Sequence, residues 1–302
     1  MDERPTQSRS LLDDAFLQRL ERLSALARRP ASSGAGGEHR SRARAESTEF
    51  VDYRAYVPGD DLRRLDWNAY RRLGALHVKL AEAREHLALH LLVDCSASMD
   101  WGAPDKLTCA RWLAAALGYL ALGRSDLVSL ACLGQHPRTI GALRGRGRVL
   151  ELLRFLDDAA PDGRLDLAAC LAQLPLWSQQ RVRGGLVVLL TDALGPDQTL
   201  GHSLDRLLAA RLDVVVVHLL SPQELEPEPG GDLEVVDAET GEVLQVALSQ
   251  AALADYQRRL DAWLTEVETA CWQRGLRYVR VRTDESLDSV VLKRLREARV
   301  LA

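Results

Sequence analysis

The sequence predicts an α/β fold in which a mainly parallel, Rossmann-like central sheet is flanked by helices. Three apolar runs of strand length, at 87–94, 185–191 and 212–220, are typical of strands buried on both faces. Apolar residues at helical spacing lie between them, over 106–122 and 198–211. Strands that alternate with helices of ten or more residues favour a doubly wound parallel sheet.

The other periodic segments continue this alternation. Apolar or alternating patterns predict further strands, at 126–133, near 139–140 and at 276–282. Helical spacing predicts further helices, at 147–156, 165–174, 251–274 and 287–300. Between them, residues 221–248 form a proline- and glycine-rich interruption. Two short apolar segments joined through Glu239-Thr240-Gly241 predict a small β-hairpin insertion near 230–247.

The N-terminal extension, residues 1–48, has a different composition. A helix is predicted at 11–27, with one apolar face formed by Leu12, Phe16, Leu20, Leu23 and Ala27. An Arg/Gly/Ser-rich segment follows, and we expect it to be a flexible loop. Its alternating arginines lack the interleaved aromatic residues on which bases stack, so we expect no nucleic-acid binding there.

Overall composition is that of a globular protein. The 302 residues are 47% hydrophobic and 27% charged, and a net charge of −4 predicts no general attraction to nucleic acid or anionic lipid. The five cysteines lack metal-site spacing and indicate reduced thiols in the core of a cytoplasmic protein. The chain opens on polar residues rather than a signal peptide, and no apolar run reaches the ~20 residues of a membrane span.

Polar residues follow two of the predicted buried strands directly. Asp94, Ser96 and Ser98 come after the first, and Asp192 closes the strand at 185–191. The carboxyl ends of parallel strands share one edge of a sheet, where open α/β folds bind ligands. Carboxylate and hydroxyl oxygens suit Mg²⁺ or Mn²⁺, although Asp and Ser are also common turn and helix-cap residues.

Asp-x-Ser-x-Ser at one strand end and Thr-Asp at another resemble the von Willebrand factor A domain, in which such residues form a metal-ion-dependent adhesion site. The upstream block, EFxDxRxYxPGDxxRxxDW, resembles the bacterial domain of unknown function 58 family. Its motif residues here are Arg54, Tyr56, Gly59, Asp60, Arg63, Asp66, Trp67 and Arg72. The resemblance implies a family-specific Arg/Asp-rich segment at 49–83 packed on the core, and a von Willebrand factor A-like domain at 84–302.

The Arg/Asp-rich segment has two interpretations. Its arginines and aspartates form either an internal ion-pair network that fixes an irregular segment or a surface for a partner. Trp67 is predicted to be a packing anchor.

The resemblance also implies roles at the strand ends. In that family the two serines ligate the metal, the aspartates hold it mainly through waters, and a threonine completes the set. Leu165 stands in the threonine position, so the resemblance implies a partly degenerate site at which Mg²⁺ or Mn²⁺ binding stays open. Arg164 could place a cation there instead, and Asp166 could turn in or cap a helix.

The function implied by the resemblance is a non-enzymatic protein-interaction domain, an adaptor or cochaperone working with a MoxR-type AAA+ ATPase. The alternative is a metal-dependent phosphatase or hydrolase built on the Asp94 and Asp192 pair. Against it, phosphatases of the haloacid-dehalogenase type need Asp-x-Asp, and Ser96 replaces the second aspartate. Neither a nucleophile elbow nor a phosphate-binding P-loop occurs in the sequence.

Overall fold

The computed structural model of the chain contains two compact units, residues 1–29 with 86–302 and residues 30–85. It describes residues 10–27, 52–57, 65, 67–80, 88–173, 185–194, 197–210, 212–227, 232–247 and 249–300. The loop predicted at 28–47 lies outside these residues, as do Gly59, Asp60, Arg63 and Asp66 of the family block.

The larger unit is built on a six-stranded sheet, which confirms the predicted fold class. Its strands are β3 (Ala88–Asp94), β4 (Leu127–Leu133), β5 (Arg138–Arg144), β6 (Leu186–Thr191), β7 (Asp213–Leu220) and β10 (Arg277–Arg282). They lie in the order β10-β7-β6-β3-β4-β5, and every neighbouring pair is parallel except β4 with β5. The central strand β3 is buried along its whole length, as its continuous apolar run predicts.

Helices cover both faces of this sheet. One face packs against α1 (Asp14–Ala27), α3 (Lys106–Gly123), α4 (Val149–Asp157), α9 (Leu287–Ser289) and α10 (Leu295–Glu297). The other packs against α5 (Leu167–Gln173), α6 (Asp197–Ala209) and the long α8 (Gln250–Gln273). A single-turn helix, α7 (Pro222–Leu225), follows β7 directly. All five cysteines are buried and unpaired, in agreement with their assignment to the core.

The predicted hairpin insertion is confirmed. Strands β8 (Asp232–Val236) and β9 (Val243–Ala247) pair in antiparallel register on either side of the predicted turn. Its turn reaches the loop before α5, because Arg164 lies 3.5 Å from the carboxylate of Glu239. The hairpin therefore extends toward the sheet edge at which the strands end.

Two details at the chain ends differ from the sequence prediction. Leu12 is exposed and Leu11 is buried, because α1 begins only at Asp14 and the helical phase does not extend back to Leu12. The predicted closing helix contains a π-helical turn at Val290–Arg294 between α9 and α10. That wider turn still buries Val290 and Val291.

The smaller unit contains a two-stranded antiparallel sheet of β1 (Asp52–Ala55) and β2 (His77–Leu80), with α2 (Trp67–Leu73) between them in the chain. Trp67 is 61% exposed and meets Tyr70 edge to face, so its prediction as a packing anchor is wrong. Large aromatic residues are usually buried, but this one opens a seven-residue helix that the sequence pattern did not reveal.

Candidate functional site

Asp94 ends β3 at the carboxyl edge of the sheet, and its carboxylate is fully engaged by neighbouring donors. The backbone N–H of Ser96 and its hydroxyl donate to Oδ1 at 2.8 and 2.6 Å. The hydroxyl of Thr191, from the end of the adjacent strand β6, donates to Oδ2 at 2.6 Å. The aspartate is almost completely buried. Parallel pairing of β3 with β6 thus brings the two predicted strand-end motifs into direct contact.

Ser96 and Ser98 lie side by side in the loop after β3. Their hydroxyl oxygens are 3.0 Å apart. The alternative in which they cap the following helix is wrong: Ser96 makes no side-chain cap to the short 3₁₀ turn at 97–99, and α3 is capped by Asp105, which accepts from the N–H of Thr108. The serine side chains are therefore available to each other and to Asp94.

Asp192, the fourth predicted residue, is held from three sides. Its Oδ2 accepts from the ammonium of Lys106 at 2.8 Å, and its Oδ1 accepts from the N–H of Leu194 at 3.1 Å. Its backbone carbonyl pairs with Nε2 of His218 at 2.8 Å, and the other ring nitrogen of His218 meets the hydroxyl of Tyr278 at 2.7 Å. The side chain of Asp192 is thus fixed in position and buried.

Lys106 belongs to this site although no motif in the sequence points to it, and the same holds for Glu224 and His218. Lys106 is the first residue of α3, its side chain is completely buried, and its ammonium also binds Glu224 at 2.5 Å. Glu224 uses its other oxygen to accept from the N–H and hydroxyl of Ser221, which forms a capping box at the start of α7. A signal was present: Lys106 precedes Cys109, Ala110 and Leu113 at i+3, i+4 and i+7, the spacing of the buried face.

Burial changes the proton affinities of two groups at this edge. The pKa of Asp94 is raised to about 6, first by burial and second by the nearby charge of Asp192. Burial lowers the pKa of His218 to about 4, and the interactions with Asp192 offset only part of that effect. His218 is consequently neutral and Asp94 ionised near pH 7.

The residues expected to complete or replace the threonine lie elsewhere. Leu165 packs against the apolar core beneath α5 and α6. Arg164 points to Glu239 of the hairpin, so it does not supply a cation to the strand ends. Asp166 caps α5 by accepting from the N–H of Ala169 at 2.9 Å. Of the two roles considered for Asp166, helix capping is the one observed.

Comparison with known families decides which one this chain represents. The model of the family described as "Protein of unknown function DUF58" matches residues 52–263, more than two thirds of the chain. The chain belongs to the DUF58 family. An uncharacterized protein of Mycobacterium tuberculosis, Rv1480, is 32% identical to it over 254 residues, which cover 82% of this chain and 78% of the relative.

Solved structures similar to this DUF58 chain include domains of the von Willebrand factor A type, one of them from Catenulispora acidiphila. The conserved hypothetical protein BatB from Bacteroides thetaiotaomicron aligns with a TM-score of 0.40 and 15% identity, covering 71% of this chain and 99% of BatB. Manganese-loaded TRAP from Plasmodium vivax aligns with a TM-score of 0.34 and 21% identity, covering 44% of this chain and 57% of TRAP. Among the helices within the described residues, none is both long and apolar enough to cross a membrane.

The DUF58 site can be tested for a divalent ion through its donor set. The two serine oxygens, 3.0 Å apart, have the spacing of adjacent ligands in an octahedron with bonds of about 2.1 Å. The rest of the set does not fit. Leu165 offers no oxygen, and Oδ2 of Asp192 is bound to a buried ammonium. Within the part of the chain that the structure describes, no three His, Cys, Asp or Glu side chains are arranged to hold a metal ion.

Two exposed apolar side chains leave the same sheet edge of the DUF58 chain. Trp101 is 57% exposed in the loop that joins β3 to α3, and Leu194 is 49% exposed after β6. The loop carrying Trp101 is braced: the carbonyl of Trp101 accepts from the N–H of Lys106, and Gly102 packs against Ser221. We use the name strand-end rim for Trp101 and Leu194 together with the polar cluster at the same edge, which consists of Asp94, Ser96, Ser98, Lys106, Thr191 and Asp192.

Gly102 is required at the base of this loop. Its φ is +104°, and a Cβ added there would lie 2.5 Å from Cβ of Ser221. We expect Gly102→Ala to lower the free energy of unfolding by about 1–3 kcal/mol, measured by urea denaturation. Gly147→Ala is the matched control, because a Cβ at Gly147 meets no atom within 4 Å. Equal stability of the two variants would contradict the tight packing of the Trp101 loop.

Proposed function

We propose that this DUF58 chain is a non-enzymatic protein-interaction domain that acts as an adaptor or cochaperone for a MoxR-type AAA+ ATPase. It docks through the strand-end rim, a partly degenerate form of a metal-ion-dependent adhesion site. The observation that carries the proposal is the exposure of Trp101 on a braced loop, next to polar groups that satisfy one another. Exposed aromatic residues on rigid supports are typical binding hot spots.

The geometry around Asp94 favours a structural role for the buried polar cluster over a catalytic one. Both oxygens of Asp94 accept hydrogen bonds from the protein, and the residue is 1% exposed. A phosphatase nucleophile must reach a substrate, so this arrangement favours the interaction domain over the hydrolase alternative. A steady-state assay with a generic phosphate ester separates the two: turnover that Asp94→Asn abolishes would overturn the adaptor proposal.

The family block contributes a second contact surface in this proposal. In the smaller unit, Trp67 and Arg72 are exposed, which favours partner contact for these two residues over an internal brace. The same motif contains Arg54, Tyr56, Gly59, Asp60, Arg63 and Asp66, and we propose a role in partner binding for them on the basis of the motif alone. We further propose that the protein works in the cytoplasm, where its five buried cysteines would remain reduced thiols.

The proposal predicts that Trp101→Ala weakens capture of the ATPase about 30-fold or more, the effect of losing a hot spot worth about 2 kcal/mol. The measurement is the dissociation constant of the full chain for a purified MoxR-type AAA+ ATPase of the source organism. The ATPase is immobilised on a surface, and binding is measured with and without ATP. Wild-type and variant chains must first match in circular dichroism and thermal midpoint.

Trp272→Ala is the matched control for this experiment. Trp272 is 66% exposed, but it lies in the last turn of α8, just before β10 begins, and therefore at the opposite edge of the sheet. We expect it to bind like the wild type. If the two variants weaken binding equally, or if the wild type does not bind the ATPase, the proposed docking role of the rim fails.

A further inference from the structure

We infer that the ammonium group of Lys106 is the resident cation of the strand-end rim and that the rim takes no divalent metal ion. The charged side chain lies at a buried position of the helix face, in contact with two acidic residues from other segments of the chain. A buried ammonium is costly unless it is paired, and here both pairings are shorter than 3 Å. This is the arrangement expected of a permanent structural cation.

The position of the ammonium conflicts with a metal ion on the same aspartate. Lys106 Nζ is 2.8 Å from Oδ2 of Asp192. An ion bound directly to that oxygen at about 2.1 Å would lie at most about 5 Å from the ammonium, and an ion held through one water would lie at most about 3 Å farther away. Like charges at that distance repel strongly in a buried site, where water does not screen them. The threonine that would offset this cost with a further oxygen ligand is replaced by Leu165.

The ion pairs of Lys106 connect three segments at the carboxyl edge of the sheet. Lys106 begins α3 after the β3 loop, Asp192 follows β6, and Glu224 belongs to α7 after β7. One side chain therefore joins the ends of three neighbouring strands. Asp94 is stabilised separately, by the hydroxyl and amide donors of Ser96 and Thr191. Neither acidic group at the strand ends is left without donors in the absence of an ion.

A consequence for partner recognition follows, and this part rests on the proposed function. A metal-dependent rim would recruit an acidic residue of the partner into the ion's coordination shell. Here the ammonium is completely buried beneath Asp192 and Glu224, so a partner carboxylate cannot reach it from solution. Partner contact would instead involve the exposed apolar residues Trp101 and Leu194. Capture of the partner should then be insensitive to EDTA.

The inference is tested by titrating Mn²⁺ into the full wild-type chain, in which the lysine Nζ atoms are labelled with ¹⁵N and observed by NMR. The sequence has only three lysines, at 79, 106 and 293, so their signals can be resolved and assigned by substitution. We expect one signal protected from solvent exchange, lost in Lys106→Met, and no site-specific broadening of it up to about 1 mM Mn²⁺. The exposed Lys293 reports non-specific effects of the ion.

Stoichiometric Mn²⁺ binding by the wild type that Ser98→Ala abolishes would overturn the inference, whatever the Lys106 variants do. A second arm uses Lys106→Met/Leu165→Thr, which removes the ammonium and restores the hydroxyl. Its folding is checked first by circular dichroism. We expect the folded variant to bind one Mn²⁺, and failure to bind would overturn the assignment of Lys106 as the group that excludes the ion. The titrations need no partner, so they stand even if ATPase capture fails.

Discussion

Replacing Lys106 by methionine is expected to lower the free energy of unfolding by about 3–5 kcal/mol, the usual cost of removing one partner from a buried ion pair. Methionine fills a similar volume, so the loss arises from charge rather than from a cavity. Asp192 would remain buried, and Glu224 partly buried, with their cation removed. Urea denaturation at pH 7, followed by tryptophan fluorescence and circular dichroism, measures the change.

Two further variants distinguish this charge effect from general damage to α3. Lys293→Met removes an exposed lysine and should change stability by no more than about 0.5 kcal/mol. Lys106→Met combined with Asp192→Asn and Glu224→Gln removes all three charges and should recover part of the loss, because uncharged groups are less costly to bury. The interpretation fails if the triple variant is less stable than Lys106→Met alone.

The second large expected effect is on the pH dependence of the free energy of unfolding. The folded-state pKa of His218 is about 4, below its ordinary value of 6.5, so between these values the unfolded chain binds more protons than the folded chain. The stability that depends on neutral His218 is complete above pH 6.5 and is lost as the pH falls toward 4. Asp94 has the opposite sign, since its folded-state pKa of about 6 exceeds the ordinary 3.8. Its contribution is greatest at low pH and declines as the pH rises through 6.

These opposing signs predict how single substitutions change the pH dependence of stability between pH 4.5 and 6. The free energy of unfolding should rise with pH more steeply in Asp94→Asn than in the wild type, and less steeply in His218→Gln. Each difference should reach up to about 1.4 kcal/mol per pH unit. His90, whose pKa burial also lowers to about 4, contributes equally in all three chains.

Urea denaturation in EDTA at half-unit steps of pH would measure these slopes. The slope is informative even where a substitution lowers stability at every pH, because an offset of the whole curve leaves it unchanged. Parallel curves for the three chains would mean that Asp94 and His218 titrate in the folded protein as they do in the unfolded chain. The burial of the two groups at this edge would then have no effect on their protonation.

Some elements could be predicted because their signal lies within one segment. Five of the six residues of β3 before Asp94 are apolar, the exception being His90, and a strand buried on both faces favours such a run. The hairpin was predicted from a turn between two short apolar segments, which is equally local. Errors occurred where burial depends on what packs against an element, as at Trp67 and Leu12, since residue type alone does not specify the neighbour.

The candidate site also has a part that local sequence patterns predict and a part that they do not. From the order of residues alone, Asp94, Ser96, Ser98 and Asp192 are expected to follow buried parallel strands and therefore to share one edge of the sheet. The ammonium beside Asp192 could be located only in three dimensions, because Lys106 lies 86 residues from Asp192 and 118 residues from Glu224 along the chain. No local pattern encodes that contact. It exists because packing α3 and α7 at the ends of β3, β6 and β7 buries one ammonium beside two carboxylates.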